Sequence, residues 1–418
     1  MNHRLLILGS LREFVQLIEM ARERGIYTIV CDGYADGEGK AAADKAYTVN
    51  PGEIEKIAEI CRAEKVDAIL TSFSDYLFEC MVKIADKAGL PCYFRPEKLD
   101  YYRNKQKMKE MFQELGIASA NHVCLKEDFT DQETSGLRFP VVSKPLDRYG
   151  SRGVYILNSP LEIREYFQKV KGYSQKPEIL VEEYQDGFEF NMMTWVLEGR
   201  VYVLSLADRE KTPVNQREIP ISTRNVYPSC LMTEVYEDAR EILQKVADYT
   251  GQKEGILSMQ FFWNPGRGIS VCEVAGRFLG YEHELIDYCS GLKVEDLLLD
   301  YAYDKESLAR LIKGHQPFFD NCCAVLYFHG KPGKKIADQK TARRLGELEQ
   351  VEECWLFYRE GEIIEEHGRN PYVARYYIRG KDRKDLDRLT EKIYREISIT
   401  DEKGEEVIYR NEIPSYPK

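Results

Sequence analysis

Short continuous apolar runs alternate with amphipathic stretches along the first hundred residues. Leu5–Leu8 reads as a buried strand closed by Gly9-Ser10. Leu11, Phe14, Val15, Ile18 and Ala21 then recur at helical spacing, with Gly25 as a stop. Ile26–Cys31 is a second strand, Ile54, Ile57, Ala58 and Cys61 mark a second helix, and Val66–Leu70 is a third strand. Uniformly apolar strands separated by amphipathic helices predict a parallel sheet with right-handed crossovers.

Further along, a helix is expected over 105–115, stopped by Gly116. The stretch 139–155 reads strand, glycine-bearing loop, strand. Ile179–Tyr184 and Thr194–Leu206 are expected strands and Val226–Met232 a loop. Ala239, Ile242, Leu243, Val246 and Ala247 form one helical face closed by Gly251. Ser258–Trp263 and Ile269–Val274 predict a hairpin about Asn264-Pro265-Gly266. In the last hundred residues, strands are expected near Ala324–Phe328 and Trp355–Tyr358, then a helix with Leu386, Leu389, Ile393 and Ile397 on one face, and a turn at Asp401–Gly404.

A length of 418 residues suits two or three domains. The net charge of −11 argues against a global attraction to nucleic acid or anionic lipid. No apolar run approaches the roughly 18–20 residues of a membrane span. Arg12 and Glu13 cut off the N-terminal apolar run too early for an export signal, so the expected location is cytoplasmic. The eleven cysteines then read as reduced thiols, and their spacing suits no zinc site. Gly9 begins Gly-Ser-Leu-Arg-Glu-Phe rather than GxGxxG, which argues against dinucleotide binding by the first domain.

Three segments carry chemistry. Lys144 ends a strand and precedes a loop holding Gly150, Ser151 and Gly153, whose N–H groups suit phosphate oxygens. Glu182, Glu183 and Tyr184 end another strand, and Glu189 follows; carboxylates there suit ribose hydroxyls and the strand backbone an adenine edge. Gln260 and Glu273 lie on the two arms of the hairpin, where two oxygen donors can meet one hard cation, with Arg277 four residues on for phosphoryl charge. Taken singly, each is equally well a hairpin turn, a solvated strand end or a satisfied polar pair.

Together, in this order, they resemble the ATP-grasp superfamily, on its carboxylate–amine ligase, carbamoyl phosphate synthetase and biotin carboxylase-like side. The resemblance implies an α/β fold with a Rossmann-like domain over 1–100, a two-lobed ATP-grasp domain over 101–315 with its lid at about 119–185, and a C-terminal α+β lobe over 316–418. It makes Lys105 and Lys144 the phosphate lysines and the glycine loop after Lys144 a closing lid. It makes Glu182–Tyr184 the adenine hinge, Glu189 the ribose carboxylate, and Gln260 and Glu273 the ligands of Mg²⁺ or Mn²⁺. One position departs from the family's Glu-x-Asn-x-Arg: Ala275 stands where the asparagine would and cannot ligate a metal.

The implied activity is ATP- and Mg²⁺-dependent ligation of a small carboxylate, activated as acyl phosphate, to an amine. The alternatives are a glycinamide ribonucleotide synthetase-like enzyme or a nucleotide-binding protein without turnover. Arg277 would stabilise the transferring phosphoryl group. Arg209 or Arg224 would hold a substrate carboxylate, and His283 would orient a substrate or deprotonate the amine. A homodimer is expected, with no nucleic-acid or membrane partner.

Overall fold

The computed structural model describes residues 3–147, 153–212, 220–279, 282–365 and 372–414. The first hundred residues form a parallel sheet of β1 (Arg4–Leu8), β2 (Tyr27–Asp32), β3 (Lys45–Thr48) and β4 (Ala68–Leu70) in the order β3-β2-β1-β4. Leu5 to Leu8 are fully buried. Helices at Val15–Glu23, Glu38–Ala42 and Ile54–Glu64 supply the crossovers, and a further helix, Asp75–Ala88, follows β4. The last starts where the Ser74 side chain accepts from the Leu77 amide and stops at Gly89 in the left-handed region.

A small antiparallel sheet follows, ordered β5 (His122–Leu125), β8 (Ile179–Glu183), β6 (Val141–Pro145), β7 (Tyr155–Leu157). Its own core includes Val141, Phe167 and Val181. The dominant element is an antiparallel sheet of eight strands. In spatial order these are β13 (Gly268–Ala275), β12 (Glu254–Asn264), β9 (Phe188–Leu197), β10 (Arg200–Lys211), β11 (Ser222–Tyr227), β14 (Cys322–Phe328), β16 (Ala374–Gly380) and β15 (Val351–Leu356).

Three departures from the sequence reading concern this sheet. The expected strand Thr194–Leu206 is two strands, because Glu198 and Gly199 both take positive φ and turn the chain back. Ser222–Tyr227 pairs on both edges, so the expected loop at 226–232 begins only after Tyr227. β16 was not foreseen: it buries Arg375 among apolar neighbours, and a charge within a short run masks the apolar pattern. The C-terminal third also contributes β14, β16 and β15 to the same sheet that carries β12 and β13, while packing a second core around Leu326, Tyr376 and Ile393. Among the described residues no helix is long and apolar enough to cross a membrane.

Candidate active site

Gln260 and Glu273 are register partners across β12 and β13. Opposed residues on antiparallel strands point to the same face, so both oxygen-bearing side chains address one side of the sheet edge. A backbone bond from the Val271 amide to the Ala118 carbonyl, 2.8 Å, joins that edge to the segment leading into β5. The small sheet thus folds over the end of the large one, and the cleft lies between them.

Lys144 reaches this cleft from β6. Its ammonium is buried against Glu182 of β8. Lys105 starts the helix Lys105–Glu114, capped by the Asn104 side chain, and points its Nζ to the Pro145 carbonyl at 3.4 Å. Lys109, one turn on, is buried and lies 3.4 Å from the other Glu182 oxygen. Sequence reasoning missed Lys109, although Lys105 and Lys109 at i, i+4 share a helix face.

The charges interact strongly. Burial alone would raise the Glu182 carboxyl, but Lys144 and Lys109 hold it well below the usual carboxylate range. Burial pulls the Lys144 ammonium down, yet Glu182 outweighs it and the net shift is upward, with Glu273 and Cys272 also in reach. Lys105 is lowered to about 8, by burial first and then by the neighbouring Lys144 charge, with Glu273 and Glu182 opposing. Lys144 and Glu273, from different sheets, therefore lie close enough for their charges to interact.

The strand end beside them is arranged differently from the expectation. Glu182 turns its side chain into the cleft, onto the lysines. Glu183 faces away, accepting from the Arg138 amide at 3.0 Å. The backbone N–H groups of Glu183 and Tyr184 bond the carbonyls of Asn121 and Pro140. Those two amides therefore do not read an adenine edge. Glu189 is not offered to a ribose either. It is 4% exposed and is gripped by Arg209, Lys211 and the Gln260 amide. Donation by the Gln260 Nε2 to Glu189 leaves the Gln260 carbonyl oxygen for a cation. One carboxylate and one amide oxygen, completed by phosphate and water, form a donor set that fits Mg²⁺. No group of three or more His, Cys, Asp or Glu side chains suited to a metal occurs among the described residues, so the substrate would have to complete the shell.

Residues 137–283 match the family model of the ATP-grasp domain. The chain carries an ATP-grasp domain. It is 26% identical over 194 residues to the formate-dependent phosphoribosylglycinamide formyltransferase of Methanocella arvoryzae, covering 44% of this chain and 43% of that one. It is 21% identical over 246 residues to the carbamoyl phosphate synthase large chain of Vibrio cholerae, covering 57% of this chain and 22% of that one. The chain therefore spans less than half the length of these curated relatives. Among solved structures, the L-amino acid ligase from Bacillus licheniformis superposes with a TM-score of 0.81 at 18% identity, over 96% of this chain and 99% of that one. At that identity the likeness concerns the fold.

Within the ATP-grasp domain, the loop after β13 is built against the first hundred residues. Tyr93 Oη donates to the Gly276 carbonyl at 3.0 Å, and a Cβ on Gly276 would lie 2.5 Å from the Phe78 ring. This places Arg277 beside Asp75, 2.7 Å away at the first turn of the helix Asp75–Ala88. Gly150 and Ser151 of the glycine loop lie outside the described residues. Gly153 is described, has φ +72°, and packs so that a Cβ would lie 2.6 Å from the Tyr173 ring.

Two acceptor-side expectations need correction. Arg224 is fully buried, makes two 2.7 Å bonds to Glu210, and also reaches Asp387 at 2.7 Å and Thr390 at 2.9 Å. Its guanidinium is saturated by the protein and ties β11 to the helix Arg383–Glu396, so it does not hold a substrate carboxylate. His283 stacks on Phe73 with ring centroids 4.0 Å apart, and its two nitrogens lie 3.3 Å from Glu284 and 3.2 Å from Glu295. Burial lowers its pKa, but the two carboxylates outweigh that and raise it, so His283 favours the charged form rather than a free base.

Arg209, by contrast, pairs with Glu189, the carboxylate that Gln260 also holds. Near it lies Glu282, which no local sequence pattern marks out. This carboxyl is buried, accepts from the Asn191 amide at 2.7 Å and the Asn225 amide at 2.5 Å, and is pushed up to about 7 by burial, against the opposing pull of Asn225 and Arg209. Asn191 is the register neighbour of Gln260, which places Glu282 near Gln260.

Proposed function

We propose that this chain is an ATP- and Mg²⁺-dependent ligase that activates a carboxylate as an acyl phosphate and joins it to an amine, releasing ADP and phosphate. The observation that carries the reading is the convergence of Lys105 and Lys144 from one side with Gln260 and Glu273 from the other. Attack of a carboxylate on a γ-phosphate brings two anions together. Positive charge fixed in advance is what lowers that barrier.

Lys144 has three donors, so it can keep Glu182 and still meet a phosphate oxygen. Lys105, lowered by burial and by Lys144, would be drawn back to its charged form by a polyphosphate neighbour. A Mg²⁺ bound by Gln260 and Glu273 would supply charge neutralisation at the phosphates. Arg277, oriented by Asp75, provides a guanidinium at the reacting end. Arg209, with Glu189 behind it, is the candidate for the substrate carboxylate. The buried Glu282 carboxyl, near neutral pKa, is suited to accept a proton from an attacking ammonium.

The test is ADP release by the purified chain with Mg²⁺, over a matrix of carboxylates and amines, with hydroxylamine added to trap acyl phosphate as hydroxamate. The reading expects ADP and hydroxamate to depend on the same carboxylate. ATP binding by calorimetry, without ADP or hydroxamate from any acid, would instead assign a binding role and make Ala275 the departure that matters.

A further inference from the structure

Two cavities, of about 910 Å³ and about 620 Å³, open between the first hundred residues and the C-terminal third. They share Arg12, Glu13, Glu38, Glu353 and Trp355 in their walls. The larger falls within the size range of about 300–1,000 Å³ common for small-molecule pockets.

One wall is rigid. Trp355 lies between two guanidinium groups, Arg12 at 4.4 Å and Arg375 at 4.1 Å from its ring centroid. Its Nε1–H donates to Glu353, which also accepts from Tyr288 Oη at 2.6 Å. Glu352 pairs with Arg379 at 2.9 Å. These acids are satisfied within the protein.

Glu13 is not. It sits on the single turn Arg12–Phe14, in the walls of both cavities. Among the described residues no side chain hydrogen-bonds to it or forms an ion pair with it. Burial raises its pKa, although Arg375, its own backbone N–H and His283 oppose the shift. A recessed carboxylate that faces an open volume, with no ion pair at contact distance among the described residues, can take a cation from a ligand.

The cavities also adjoin the reaction cleft. Tyr372 lines the larger one and stacks on Tyr327 at 4.8 Å. Tyr327 Oη accepts from the Asn225 amide at 3.3 Å, and the same amide group donates to Glu282. His283 and Glu284, next along the chain, line the smaller cavity.

We infer that this interdomain cavity receives the amine substrate, and that the substrate carries a second cationic group, an ammonium or guanidinium, bound by Glu13: a diamine or a basic amino acid. The inference rests on the ligase reading for the word substrate, whereas the charge preference can be measured by binding alone.

The experiment is calorimetry on the full chain with Mg²⁺ and a non-hydrolysable ATP analogue. The probes are 1,5-diaminopentane, L-lysine and L-norleucine, the last matching the aliphatic chain of lysine without its terminal charge. The expected result is at least tenfold tighter binding of lysine and the diamine than of norleucine. Glu13→Gln should remove that preference while leaving analogue binding unchanged, and Glu13→Asp should retain part of it. Norleucine binding as tightly as lysine, or a preference that survives Glu13→Gln, overturns the inference. A second measurement needs no variant: carbodiimide labelling of Glu13 in the wild type, read by mass spectrometry, should fall at least threefold with lysine and not with norleucine. Equal labelling in both would also overturn it. Absence of ADP release with every acid and amine would defeat the ligase reading while leaving a measured cation preference at Glu13 intact.

Discussion

The Arg277 guanidinium lies 2.7 Å from the Asp75 carboxylate, although 202 residues separate the two in the chain. Arg277 holds Asp75 below the usual carboxylate range despite the opposing effect of burial. The pair fixes the direction in which the arginine faces the cleft. Asp75→Asn should therefore lower kcat/KM by about 10–100-fold, or about 1.4–2.7 kcal/mol of transition-state stabilisation, with ATP affinity little changed. Steady-state ADP release together with nucleotide calorimetry separates the two effects. An unchanged kcat would mean that the arginine is held equally well without its partner.

Lys144 and Glu182 form a buried pair whose halves cannot be removed independently. Lys144→Met should abolish nucleotide binding and destabilise the protein by about 3 kcal/mol, because Glu182 is left with Lys109 alone. The double variant Lys144→Met/Glu182→Gln should recover much of the stability but none of the nucleotide binding. Urea denaturation of the four proteins in the cycle reads the coupling.

Arg224 should behave as a structural residue. Arg224→Met leaves the buried Glu210 with Arg383 as its remaining partner. The expected loss is about 3–5 kcal/mol in urea denaturation. A variant of wild-type stability with a raised KM for a carboxylate would restore the substrate role.

His283 gives stability a pH dependence of defined sign. Its folded pKa is raised by Glu284 and Glu295 above the ordinary value near 6.5. Its contribution is therefore fully present below about pH 6.5 and is lost as pH rises through the higher folded value. The stability gap between wild type and His283→Gln should shrink between neutral and alkaline pH. A gap that widens would indicate a neutral imidazole in the folded protein.

Lys105 should make nucleotide affinity pH-dependent near its lowered value of about 8. Affinity for ATP should fall as pH rises from 7 to 9, because the free protein must then take up a proton at Lys105 to bind. Lys105→Met should bind more weakly and lose that slope. Calorimetry in buffers of differing ionisation enthalpy would count the proton.

The parallel sheet of the first domain was readable because Leu5–Leu8, Ile26–Cys31 and Val66–Leu70 are buried on both faces and show it as unbroken apolar runs. Lys105, Lys144, Gln260, Glu273 and Arg277 were named through the family resemblance; in the folded chain the charges of Lys105, Lys144 and Arg277 each interact with Glu273, whose register partner is Gln260. Partnership was what the residues did not display. Glu189 and Arg224 are ordinary charged residues in a strand pattern, and only long-range pairing shows that both are gripped by protein groups. Glu282 draws its character from Asn191 and Asn225, far away in the chain, so no local pattern marks it. β16 escaped notice because Arg375 interrupts it, and the aromatic rings that shelter that charge come partly from another strand.

β14 bonds directly to β11, with Arg224–Tyr227 paired to Cys323–Leu326. Cleavage near Gly314 would strip that ladder and leave a raw backbone edge in the middle of the molecule, able to recruit a second copy. Recombination that exchanges the C-terminal third between homologous genes therefore faces a geometric toll: an incoming segment must bring a strand of matching direction and alignment, whatever chemistry it carries.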